Sequence, residues 1–200
     1  MPHDSKTKVA RVGALLTSFG LLCLAASPAF AHDGAHGVMA LSAGFAHPFS
    51  GLDHLLAMIA VGVWAAQMQG NGRWVLPLTF PLMMVAGAVP GFMGLVLPGI
   101  EIGIASSVAL LGMLIAFAVR VPAWAGATLV AAFAVVHGYA HGAELPQQAS
   151  AGLYGLGFIV ATGLLHLAGL SAGAFANKKM ALRVAGGGIA AYGVFLMTVA

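Results

Sequence analysis

The sequence predicts an all-α protein, a polytopic membrane helix bundle with six transmembrane helices after a cleaved signal peptide. Three observations predict it. Sixty per cent of the 200 residues are hydrophobic and only 6% are charged, against roughly a quarter in a soluble domain. Six apolar runs follow one another, each near the roughly 20 residues that a bilayer crossing needs. The Lys and Arg residues beyond the N-terminal segment alternate with those runs so that all of them fall on one side.

Residues 1–31 read as the signal peptide, the alternative being an uncleaved first transmembrane helix. Lys6, Lys8 and Arg11 form a positive n-region, Val12 to Ala26 an apolar h-region, and Ala29-Phe30-Ala31 an A-x-A cleavage pattern. Cys23 is the only cysteine, so processing leaves a chain with neither disulfides nor thiolate metal sites. Residues 32–49 then make a periplasmic N-terminal segment. It opens His32-Asp33-Gly34-Ala35-His36, where His32 and His36 beside a free α-amino group are candidates for loose metal capture. The plainer reading is a solvated terminus.

Residues 50–200 form the six-helix domain. The runs are Ser50–Met68, Trp74–Gly94, Pro98–Val119, Pro122–His141, Ala149–Leu170 and Met180–Ala200. Short connections leave no room for a second domain. With the mature N-terminus outside, Arg73, Arg120, Lys178, Lys179 and Arg183 all lie at the cytoplasmic ends. The positive-inside rule therefore sets an inner-membrane orientation with both termini periplasmic. Asp33, Asp53, Glu101 and Glu144 fall on or near the outer side, where a negative vestibule concentrates cations. The basic residues are too few and scattered to track phosphates, which excludes a nucleic-acid partner; the partners expected are membrane lipid and a divalent ion. Nothing in the sequence sets an oligomeric state.

Two motifs carry chemistry. His47-Pro48-Phe49-Ser50-Gly51-Leu52-Asp53-His54 places two imidazoles and a carboxylate at the mouth of the first apolar run. Ionisable groups there are expensive in lipid and mark function by default, and this donor set suits nickel, cobalt or zinc. The bland alternative is a capping Asp53 beside a packed His54. The second motif is His137-Gly138-Tyr139-Ala140-His141-Gly142-Ala143-Glu144. His137 and His141, at i and i+4, share a helical face, and Glu144 joins it if the helix continues. The alternative is a helix end whose histidines face water. Counting from Arg73 and Arg120 at 1.5 Å per residue, His54 and His137 both lie roughly 26–28 Å from the cytoplasmic boundary. Glu101 starts the third helix from that same outer layer.

Other features weigh less. His166 lies in the inner half of the fifth helix, as a deeper relay ligand or, more commonly, a hydrogen-bonded packing residue. Pro77, Pro81 and Pro90 interrupt the second helix, and broken helices line cavities in transporters, though ordinary kinked packing is the plainer reading; Phe80 stands where it narrows a pore. Met58, Met83, Met84 and Met93 are soft donors but ordinary packing residues. The runs Gly152–Gly155 and Gly186–Gly188 read as sites of close helix approach.

The stretch from His47 through Met58, with Val61-Gly62-Val63-Trp64-Ala65, resembles the signature of the HupE/UreJ family, bacterial membrane proteins regarded as nickel and in some members cobalt permeases. His137-Gly138-x-x-His141-Gly142-x-Glu144 is similar to that family's later motif. The resemblance implies metal-handling roles for His47, Asp53, His54, Glu101, His141 and Glu144, and more weakly a role for Phe80. His137 and His166 stand as additional metal or pore candidates.

The expected function is transport of Ni²⁺, or Co²⁺, into the cell by facilitated diffusion or secondary transport, in supply of a hydrogenase or urease. No permanent cofactor and no enzymatic activity are expected. H-E-x-x-H and the phosphate-binding G-x-x-x-x-G-K-[ST] are both absent. Two alternatives stay open. A membrane haem protein would use paired histidines as axial ligands, and a metal-dependent hydrolase would need three ligands and an open position.

Overall fold

The structure, a computed structural model, describes residues 35–200 apart from 69, 71, 146–149 and 176–178. Residues 1–31, read from the sequence as a signal peptide, and His32 therefore lie outside the described residues, and of His36 only the backbone is described. The compact unit is His36–Ala200. In chain order its helices are α1 (Ala35–Ala46), a single 3₁₀ turn (His47–Phe49), α2 (Leu52–Gln67), α3 (Gly72–Phe92), α4 (Ile100–Ala116), α5 (Ala123–Ala143), α6 (Ala151–Phe175) and α7 (Lys179–Met197). No strand occurs among the described residues.

By length and apolar composition four helices can cross a membrane alone: α3, α5, α6 and the Met180–Met197 part of α7. The pair Gly37–Phe49 and Leu52–Gln67, bent by 79° at the joint, makes a fifth when taken as one broken span. Six full spans are expected from the apolar runs. Two of those runs are short: α2 has 16 residues and α4 has 17, or about 24–26 Å of helix against a hydrocarbon core of about 30 Å.

Residues 35–46, expected only to be part of a periplasmic N-terminal segment, are helical. The stretch Val38–Ala46 is apolar and rich in small residues, and it packs on α6 through two glycines. A Cβ on Gly44 would collide with the Tyr154 carbonyl, and one on Gly157 with the Leu41 carbonyl. Helix α3 also departs from expectation, running unbroken from Gly72 to Phe92 with Pro77, Pro81 and Pro90 inside it. Each proline removes one backbone donor, so the carbonyl four residues earlier must find another partner.

Three tight helix pairs dominate the packing: α3 with α5, α4 with α7, and α2 with α6. Small residues allow the approach. In the first seam, Gly87 and Gly91 of α3 meet α5 at Val135 and Tyr139, while Gly138 and Gly142 of α5 meet the carbonyls of Met84 and Ala88. Gly62 and Gly169 do the same between α2 and α6, and Gly112, Gly186 and Gly193 between α4 and α7. The glycine runs singled out in the sequence are mostly not the contact points. Gly152, Gly155, Gly187 and Gly188 have open space at the Cβ position, and only Gly186 is tightly packed.

The outer surface is apolar. Leu78, Leu82, Val85, Val89 and Phe92 form an exposed stripe along α3, a face that suits lipid and not water. At the end of the bundle opposite His47, Trp64 Nε1 donates to the Val119 carbonyl (2.9 Å) and Arg183 Nε to that of Ala116 (2.8 Å), covering carbonyls that the end of α4 leaves free.

Candidate metal site

The 3₁₀ turn and the break before α2 build one wall of the site. Ser50 closes the turn by donating both its N–H (2.9 Å) and its hydroxyl (2.6 Å) to the His47 carbonyl. Gly51 then runs extended, at φ −112° and ψ 125°. A Cβ there would lie 2.6 Å from Asp53 Oδ1 and 3.1 Å from His54 Nδ1, so a side chain at this joint displaces the pair that follows. Asp53 and His54 open α2 with Oδ1 and Nδ1 2.9 Å apart.

Helix α5 supplies the facing wall. It continues far enough that Glu144 caps it in helical geometry, its N–H donating to the Ala140 carbonyl. Gly138 and Gly142 press one side of α5 onto α3, and this turns His137 and His141, one residue earlier each, toward α2 and α6. His54 then lies with its ring centroid 4.4 Å from that of His141 and 5.1 Å from that of His137. His47 lies 4.9 Å from His141 by the same measure, and its Nε2 is 3.2 Å from Glu144 Oε2. The expectation that the two motifs share one layer is met in the packing.

Two clusters result, each with one nitrogen or oxygen per residue within 4.8 Å of the others: His54, His137 and His141, and His47, His141 and Glu144. His141 belongs to both. Above them opens a cavity of about 430 Å³ lined by His47, Ser50, Gly51, Asp53, His54, Glu101, Ile104 and Glu144. Asp53, Glu101 and Glu144, acids from three helices, thus face one mouth.

The hydrogen bonds decide which nitrogens are free. Asp53 accepts from His54 Nδ1–H, leaving Nε2 buried with no hydrogen-bond partner among the described residues. Ser107 donates to the Ile104 carbonyl (2.7 Å) and so accepts from His137 Nε2–H at 2.8 Å; Nδ1 of that ring is the uncommitted atom. Neither ring nitrogen of His141 has a hydrogen-bond partner among the described residues. These tautomers follow from the network, as imidazole protons must be assigned. Buried polar atoms are normally paired, and here three adjacent imidazoles each turn a bare lone pair inward.

Ser107, Tyr154 and Phe158 escaped the sequence reading. Ser107 is a fully buried hydroxyl in an apolar helix, and that isolation was its only signal. Phe158 lies against His141 with centroids 4.2 Å apart, and Tyr154 lies near His47 at 5.8 Å; neither stands out in a hydrophobic run. Phe80 is fully buried, between His137 at 5.7 Å and His166 at 5.2 Å. His166 lies beyond it, outside both clusters. Met58 and Met84 are core residues, while Met93 is exposed.

Comparison with known proteins identifies the family. The model of the HupE / UreJ protein family matches residues 20–196. Protein HupE of Rhizobium leguminosarum bv. viciae is 44% identical over 174 residues, covering 86% of this chain and 91% of the relative. No solved structure matches the chain. The match spans every helix described and both histidine motifs, and the chain is a multi-pass membrane protein that belongs to the HupE/UreJ family.

Proposed function

We propose that this protein is a permease for a divalent transition metal, Ni²⁺ first and Co²⁺ second, moving it inward across the bacterial cytoplasmic membrane. One observation carries the reading: three adjacent imidazoles, His137 and His141 buried and His54 partly so, have uncommitted nitrogens beside a cavity that His54 lines together with three acids. In this reading α1 with α2 forms one broken crossing and α4 a short one, which restores six crossings with both mature termini periplasmic.

The hydrated ion is drawn to Asp53, Glu101 and Glu144, whose negative field raises its local concentration. At the mouth it meets His47 and Glu144, which separate from each other to take it, with His141 as the third donor. His141 also belongs to the lower cluster, so the ion exchanges His47 and Glu144 for His54 and His137 without leaving His141. Nitrogen-rich, thiolate-free ligation selects against magnesium and calcium, which prefer oxygen. Sharing between two incomplete clusters keeps each weak enough to release. A divalent ion gains about 4.6 kcal/mol per 100 mV of inward-negative potential, which suffices to drive accumulation without nucleotide hydrolysis. No resident cofactor and no bond-making chemistry is invoked. Imidazole centroids only 4.4–5.1 Å apart leave no space for a porphyrin between them, which favours an ion over haem.

The test is uptake of radioactive nickel by cells expressing the chain, beside the His54→Ala variant at equal membrane level. Uptake that cobalt but not magnesium competes, reduced at least tenfold in the variant, is the expected result. Normal uptake in the variant overturns the site, and uptake no greater than in empty cells overturns the permease.

A further inference from the structure

Helix α3 leaves one carbonyl in an unusual position. Pro81 has no N–H, so the Pro77 carbonyl loses its helical donor. His166 of α6 takes that place, its Nδ1 lying 3.2 Å from the Pro77 oxygen. A carbonyl only accepts, so the proton is on Nδ1 and Nε2 carries a bare lone pair. That nitrogen is buried without a hydrogen-bond partner among the described residues, in a residue 1% exposed. The proline thus dictates the tautomer of a histidine on another helix, and the result is a metal-competent nitrogen.

The location adds to this. Pro77 is in the second turn of α3 from its Gly72 end, so His166 lies toward the basic, Arg73 side of the bundle. The Phe80 ring touches both it and His137, with centroids 5.2 and 5.7 Å away. A second thread follows the same direction. Met58 lies one turn along α2 from His54, and Thr162 lies one turn along α6 from His166. Thr162 Oγ1 donates to Met58 Sδ at 3.5 Å, so a soft sulfur bridges the two levels.

We propose that His166 Nε2 is a second metal-contact site on the inner side of Phe80, reached from His137 when that ring moves aside. The inference rests on the permease reading. No carboxylate is among the groups described around His166, so a divalent ion there is poorly neutralised and its stay is short. Such a site speeds passage and adds little to resting affinity.

The test compares nickel uptake by cells with equilibrium nickel binding to their membranes, for the wild type and two variants. His166→Gln keeps an N–H donor for the Pro77 carbonyl and removes the imine nitrogen. His166→Cys offers a different metal-binding atom. The Gln variant is expected to bind nickel within threefold of wild-type affinity and to accumulate it at less than one-tenth of the rate. The Cys variant is expected to recover at least a third of the rate and to be blocked by cadmium at a tenfold lower concentration than wild type. Uptake by the Gln variant within twofold of wild type overturns the proposal and leaves the permease standing. Loss of binding together with uptake, or no recovery with Cys, also overturns it, since either assigns His166 to packing. Wild-type membranes that neither bind nor accumulate nickel overturn the permease reading itself.

Discussion

Asp53 and Ser107 perform the same task on neighbouring imidazoles: each accepts the proton of one ring nitrogen and so frees the other. Asp53 does this with a charge, Ser107 without one, and variants separate the two contributions. Asp53→Ala is expected to lower nickel uptake at limiting concentration at least tenfold, whereas Asp53→Asn, whose amide oxygen still accepts from His54 Nδ1–H, falls in between. Equal losses in both would assign the effect to charge alone. Ser107→Ala leaves His137 free to place its proton on either nitrogen, and outer partners of metal ligands typically matter by about 10–100-fold in affinity. Equilibrium nickel binding to membranes is expected to weaken within that range, and unchanged binding would remove Ser107 from the site. The charged partner was legible in the sequence because it is adjacent to its histidine. The neutral one, thirty positions away on another helix, was not, because serine in an apolar helix usually bonds to its own backbone, as Ser107 also does.

At the level of helices, the pattern His-Gly-x-x-His-Gly has two functions interleaved. The histidines face the cavity, and the glycines bring α5 against α3 and thereby aim them. Gly138→Val is expected to destabilise the fold by about 1–3 kcal/mol, the usual cost of overpacking. Thermal unfolding of the detergent-purified protein measures this, and Gly188→Ala, where nothing stands in the way, is the matched control with no loss. The helical pairing of His137 with His141 was readable from i, i+4 spacing. Which glycines form seams was not, since spacing alone cannot tell a face against another helix from one against lipid. Helix α1 was missed for a related reason: its apolar run is too short to cross alone, and only the bend at Ser50–Gly51 joins it to α2. The prolines of α3 misled in the opposite direction. A helix tolerates them where a neighbour, as His166 does at Pro77, takes over the freed carbonyl.

For the whole molecule, the charge pattern and the placement of the acids agree on an orientation that labelling can test. A cysteine replacing Val96, 90% exposed in the α3–α4 loop, is expected to react with a membrane-impermeant maleimide in intact cells. One replacing Phe117, at the other end of α4, is expected to react only after lysis. The reverse result would invert the topology and place the acid-lined cavity inside. The α3–α4 loop is well suited to this, because Tyr139 holds it: its hydroxyl donates to the Leu95 carbonyl and accepts from Leu97 N–H at 2.9 Å. The pairing of the helices also bears on how the chain is made. Every tight partnership joins a helix to one at least two further along the chain: α2 to α6, α3 to α5, α4 to α7. During synthesis the early helices enter the membrane with their glycine faces uncovered, and each waits for a partner that emerges later from the ribosome. Phe158, which backs His141, is on the helix before last. The pocket is therefore among the final features to assemble, and a chain arrested after Glu144 has nearly all the metal-binding side chains and no enclosure to hold them.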